Sequence, residues 1–266
     1  MKKITILIIL VFSIFSCDDI LKEVPKDRLS EANFYKTVSD GRAAVDAIYG
    51  VLSAGQLFAH QYLLQIEIPA DFAYGRGSTI PIGGEYTGLD AVNQRRVGLM
   101  WDYFYQAVNY ANIAIEKIPG IEGDESAKSL LVAEAKFLRA LCYYHLVRDF
   151  GAVPLRLNST DGDMARTPVA DVYNAVIADL QAAESGLPAS ITVYGRPSKW
   201  GAKIMFAEVY LTLGDWAKAR DKAKEVMDSG DHSLVEITKL NDWDNLFGPT
   251  VNGTSEEIFS IKYNAA

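Results

Sequence analysis

Cysteines, histidines, carboxylates and loop tyrosines are the residues of this chain that could do chemistry, and Cys17 has the most telling surroundings. Lys2 and Lys3 form a short positive segment, residues 4–15 are almost wholly apolar, and Ser16 stands directly before the cysteine. A helix needs ~20 apolar residues to cross a bilayer, so this run is too short and reads as a signal peptide over residues 1–16. A small residue before a cysteine at the end of such a run is similar to a bacterial lipobox. There the thiol receives a diacylglycerol and the cysteine becomes the mature N-terminus. Phe15 stands where that motif usually carries a small residue. With Cys17 acylated, Cys142 has no partner within the chain. It lies in the apolar run Leu141-Cys142-Tyr143-Tyr144, where a buried, inert thiol is expected.

The other reactive types form no recognisable constellation. His60, His145 and His232 are far apart in sequence, and neither HExxH nor CxxC occurs, so no metal site and no cofactor are expected. Glycoside hydrolysis needs two carboxylates across a cleft, and none of the many acids sits in such a context. Glu134 and Arg139 share a long helix and are expected to make internal contacts there. Asp161-Gly162-Asp163 lacks the further ligands of a dedicated calcium loop. No catalytic residue is assigned. The formal net charge of −8 and the absence of a basic run disfavour a phosphate backbone as ligand, while a neutral ligand meets no such penalty.

The elements that must position these residues are helical. With 266 residues and a hydrophobic fraction of 49%, the chain can bury a real core. Residues 17–39 carry charge and little periodicity and read as a tether. A helix is expected over residues 40–52, with Ala44, Ile48, Val51 and Leu52 on one face. Residues 54–98 are broken by glycines and by Pro69 and Pro81, and expose Tyr74 and Tyr86. So long an irregular stretch is usually functional, which makes it the candidate ligand-facing insertion.

Regular helices follow. Trp101, Phe104, Tyr105, Val108, Ala111, Ile115 and Ile118 keep helical spacing up to Pro119-Gly120. A second helix is expected over residues 126–149. A third opens at Thr167-Pro168, read as N-cap and first helical residue, and carries Val172, Val176, Leu180, Ala183 and Leu187. The last two run from Ser198 to Gly214 and from Trp216 to Ser229, with Gly230 past the end. Tyr210, Gly214-Asp215-Trp216, Ala219, Ala223 and Val226 match the small-residue spacing of a tetratricopeptide (TPR) hairpin, with Lys203 where the signature tryptophan would stand. Trp101, Trp200 and Trp216 all read as core residues of these repeats. Residues 258–263 alternate as a short β segment, with Phe259, Ile261 and Tyr263 on one face and no partner strand after them. The domain over residues 40–266 therefore reads as incomplete at its C-terminus. The fold class is mainly α: TPR-like helical hairpins in a right-handed superhelical stack, with an irregular loop insertion and that terminal β segment.

Several segments, in order, resemble the SusD/RagB family of outer-membrane nutrient-binding lipoproteins. They are Cys17-Asp18-Asp19-Ile20-Leu21, Ala47-Ile48-Tyr49, Trp101 through Tyr105 to Asn109-Tyr110-Ala111-Asn112, and Ala133 to Ala140. Asp149-Phe150-Gly151-Ala152-Val153-Pro154, Leu187-Pro188, the TPR-like pair and Glu257-Ile258-Phe259-Ser260 complete the series. The resemblance implies four TPR-like units supporting a ligand-facing half, and chains about twice this length. It implies capture of oligosaccharides beside a SusC-like TonB-dependent transporter, on a lipid-anchored, surface-exposed protein of the outer membrane. The acidic pair after Cys17 is similar to the export signal of such lipoproteins. By position, Tyr74 and Tyr86 would offer flat faces to sugar rings, with Asp71, Arg76 and Asn93 as polar neighbours. The other reading is a lipid-anchored TPR scaffold that binds proteins and no small molecule.

Overall fold

The computed structural model describes residues 34–70, 73–77, 90–248 and 251–263, apart from the side chain of Val92. Cys17, Asp71 and Tyr86 lie outside these residues. The chain divides into a unit up to Lys36 and a unit from Thr37 onward, and the fold below is that of the second. Helix α1 (Val38–Leu52) starts at a reciprocal cap. Thr37 accepts from the Asp40 backbone, and the Asp40 carboxylate accepts from the Thr37 N–H at 2.8 Å. Its expected apolar face is the buried one, with Ala44, Ile48, Val51 and Leu52 all inside.

The irregular stretch that follows contains a short helix, α2 (Gln61–Glu67), and ends earlier than the glycines suggest. Helix α3 (Ala91–Lys117) begins ten residues before Trp101 and runs straight through Gly98. Asp90 makes that start possible by accepting the Asn93 N–H at 2.8 Å. Helix α4 (Glu125–Phe150) is capped by Asp124 and stops at Gly151, whose φ of 72° suits a residue without a Cβ. Helix α5 (Val169–Gly186) starts one residue later than the sequence suggests. Pro168 is the N-cap, and the Thr167 N–H is spent on the carbonyl of Val153 at 2.8 Å in an isolated bridge. Helix α6 (Lys199–Thr212) has Ser198 as its N-cap, and α7 (Trp216–Met227) has Asp215.

The six long helices form three successive pairs, α1 with α3, α4 with α5 and α6 with α7, and each packs on the next in the chain. Three pairs, not four, are present among the described residues. Helix α4 is the pivot, since it touches α1, α3 and α5 and buries side chains around most of its circumference. That position explains why Lys128, Glu134 and Arg139 are buried along with its leucines and aromatics.

Two expectations fail here. Residues 258–263 form no strand: Phe259 packs edge-on against Phe137 of α4, centroids 4.9 Å apart, and beside Gly201 of α6. Among the described residues there is no second strand to pair with, so Phe259 goes to the helices while Tyr263 stays 51% exposed. Trp216 is 66% exposed and is not core, whereas Trp200 is buried with its Nε1–H donating to Asp231 at 2.7 Å. Past α7 the chain is mostly irregular, with a 3-10 turn at Leu240–Trp243 and a single turn, α8 (Asp244–Phe247).

Candidate functional site

The residues proposed for ligand contact are dispersed in character. Tyr74 is 69% exposed and Arg76 is also on the surface. Asn93 is only 1% exposed, and neither its side-chain oxygen nor its nitrogen has a hydrogen-bond partner among the described residues. The first turn of α3 thus holds a buried amide where the sequence suggested a surface one.

A better-defined cleft lies where α3 meets the segment after α4. Its lining is Trp101, Asp102, Tyr105, Pro154 and Arg156, around a volume of about 280 Å³. Trp101 and Tyr105, one turn apart on α3, place their rings 4.9 Å apart at 46°, and Phe150 meets the indole edge-on at 5.1 Å. Burial of the Tyr105 phenol raises its pKa, so the hydroxyl stays protonated and donates to the carbonyl of Pro154 at 2.6 Å.

The facing segment is held by backbone hydrogen bonds at almost every residue. The Tyr143 hydroxyl donates to the Arg156 carbonyl at 2.8 Å and accepts from the Arg156 N–H at 2.7 Å. The Asn112 amide donates to the same carbonyl, and Arg139 donates to the Leu157 carbonyl at 3.0 Å. Asp161 accepts from the N–H groups of Leu157 and Asn158, which lowers its pKa, and Glu116 of α3 accepts from Ser159. Arg139 is itself fixed by a two-pronged ion pair with buried Asp179, at 2.7 and 2.8 Å. The outcome is a rigid arm that lays the Arg156 guanidinium over the Tyr105 ring, 5.6 Å from its centre.

Sequence patterns alone could not find Arg156, because its backbone is placed by partners 44 and 13 residues away, Asn112 in α3 and Tyr143 in α4. Trp101 reads as core in the sequence, yet it is half-buried and lines the cleft. Asp161 is committed to the loop backbone, and fully exposed Asp163 makes only a long contact with Arg156 at 3.4 Å. Among the described residues no group of three or more His, Cys, Asp or Glu is placed to hold a metal ion. Cys142 is fully buried and its thiol pKa is pushed far up by desolvation. His145 is enclosed by Phe58, Tyr62, Phe104 and Tyr144, with its Nδ1 2.6 Å from the Tyr62 hydroxyl.

Stacked helical hairpins with an open, partly aromatic cleft define a TPR-like helical protein. Comparison with known proteins then shows which family it resembles. Residues 83–211 match the SusD-like family model described as "Starch-binding associating with outer membrane". The chain is 32% identical to SusD-like protein P2 of Formosa agariphila, over 99% of this chain and 53% of that protein. A laminarin-binding SusD-like protein of known structure is 27% identical, with a TM-score of 0.71 over 85% of this chain and 51% of its own. A SusD superfamily structure from Bacteroides thetaiotaomicron is 25% identical, with a TM-score of 0.68 over 84% of this chain and 52% of its own. The chain is thus similar along nearly its whole length to SusD-like proteins, and it spans about half the length of the curated relatives it matches.

Proposed function

We propose that this chain serves in a cell-surface lipoprotein that captures oligosaccharides and passes them to a SusC-like TonB-dependent transporter of the outer membrane. The observation that carries this reading is the SusD-like match in both sequence and fold, to a family described as starch-binding and to a laminarin-binding relative. In this reading residues 1–16 are a signal peptide, Cys17 is the lipid attachment point, residues 17–39 are a tether and residues 40–266 are the helical domain. Tyr74, Tyr86, Asp71, Arg76 and Asn93 remain the proposed ligand contacts of the insertion. The role is binding and not catalysis.

Calorimetry of the protein against a panel of neutral oligosaccharides tests this directly, together with affinity purification from outer membranes. Binding to at least one glycan and co-purification of a TonB-dependent barrel are expected. Exposed Leu211, Leu213 and Trp216 at the α6–α7 turn favour a second reading, a lipid-anchored scaffold for other proteins. Absence of glycan binding, with stable soluble protein partners instead, would replace the first reading with that one.

A further inference from the structure

The cleft between α3 and the arm after α4 has features that packing alone does not require. Asp102 is exposed at its rim and makes no hydrogen bond or ion pair among the described residues. Arg156 has a side chain 35% exposed, and its one ion pair among the described residues is a long contact at 3.4 Å to fully exposed Asp163. Such a pair contributes little, so the guanidinium can turn its outer N–H groups to a ligand at small cost. Acceptor and donor thus flank a cleft whose wall is the Trp101–Tyr105 ring pair. The arm is already fixed by Tyr105, Tyr143, Asn112 and Arg139, so binding there would order little that is not ordered beforehand.

We infer that this cleft is a binding subsite for a single neutral pyranose ring, distinct from the contacts proposed around Tyr74. The inference rests on the glycan reading above. At about 280 Å³ the cleft lies just under the ~300–1,000 Å³ of pockets for drug-sized ligands, a size for one ring and not a chain. The apolar face of the ring would lie on Trp101, with the Tyr105 ring, tilted 46° from the indole and facing the Arg156 guanidinium, as the side wall. Neighbouring hydroxyls would then donate to the Asp102 carboxylate and accept from the Arg156 guanidinium, which satisfies both groups with one vicinal pair. A uronate fits less well: its carboxylate could meet Arg156, but only beside Asp102 and Asp163. A smaller recess of about 50 Å³ shares Tyr105 and Arg156 and continues past Asn109, room for one substituent on that ring.

The test is titration calorimetry of the full chain with neutral gluco- and galacto-oligosaccharides and, separately, with oligogalacturonate, on the parent, Trp101→Ala and Asp102→Ala. Neutral oligosaccharides are expected to bind the parent, about tenfold more weakly to Trp101→Ala and at least threefold more weakly to Asp102→Ala. Asp102 is exposed and unpartnered, so that variant should unfold at the parent's temperature, and it decides the matter should Trp101→Ala fail to fold. Neutral ligands that bind both folded variants as they bind the parent, or Asp102→Ala alone if only that one folds, would overturn the subsite and leave the glycan reading intact. Tighter binding of oligogalacturonate than of any neutral ligand would overturn the ligand class. Binding of no oligosaccharide to the parent would remove the glycan reading itself, and the subsite with it.

Discussion

Glu134 shows how much this fold asks of single side chains. Its carboxylate is almost wholly buried on α4, where it accepts from Arg42 at 2.7 and 2.9 Å, from the Tyr49 hydroxyl at 2.7 Å and from Arg196 at 3.1 Å. Arg196 also pairs with Asp46 and lies over the Tyr49 ring, so one acid ties α1 and the loop before α6 to α4. Glu134→Ala would leave two guanidinium groups facing each other and a buried hydroxyl without its acceptor. A loss of about 3 kcal/mol is expected in urea unfolding. His145 carries a pH dependence. Burial holds its pKa down at about 3, so the folded protein keeps the ring neutral while the unfolded chain protonates near 6.5. The stability this implies is complete above pH 6.5 and drains away as the pH falls toward 3, at up to about 1.4 kcal/mol per unit. Asp149 opposes it, because burial raises its carboxyl to about 6 and folding is then favoured as the pH falls from 6 toward 4. Thermal unfolding between pH 7 and 4.5 separates the two: His145→Phe should lose less stability over that span than the parent, whatever its stability at pH 7.

At the scale of elements, close approach of helices is set by a few small residues. A Cβ at Gly186, the last residue of α5, would stand 2.6 Å from the Cβ of Ala133 on α4. Gly186→Ala, which in an open helix would be neutral or favourable, is expected to cost ~1–3 kcal/mol by forcing α4 and α5 apart. The paired change Ala133→Gly with Gly186→Ala should recover much of that in the same thermal melt. Helix order and most ends were legible in the sequence, because period-3.6 stripes, side-chain caps at Ser198 and Asp215 and the glycine stop at Gly151 act over a few residues. The early start of α3 was not: Asn93, Gln94, Arg95, Arg96 and Gly98 look like loop, and only the Asp90 cap and packing make them helical. Exposure of Trp216 was hidden too, since a stripe does not tell which hairpin face another element covers. Lys203 shows the converse. It stands where the repeat signature has tryptophan, and binds Glu225 of α7 and Glu184 of α5 while lying over Trp200. The cleft was legible only in part, as aromatic spacing on α3, because the arm that completes it is assembled by contacts distant in sequence.

For the whole molecule, the proposed attachment to a membrane is the property that the helical unit does least to explain. Among the described residues no helix is long and apolar enough to cross a bilayer. The proposed anchor is instead chemical, a lipid on Cys17, and its strength can be reasoned from chain length. Each buried methylene contributes ~0.8 kcal/mol, so one acyl chain holds only marginally while two or more hold firmly. The protein's net charge of −8 adds no attraction to an anionic leaflet, so electrostatics would not supply a second hold. Removing the thiol proposed to carry the lipid should therefore release the protein almost completely. Cys17→Ala is expected to move the protein from the membrane pellet to the soluble fraction, with its oligosaccharide affinity unchanged because the lipid plays no part in either proposed contact set. A variant that stays in the pellet after a carbonate wash would show that something other than Cys17 holds the protein, and the lipid assignment would fall while the binding reading stood.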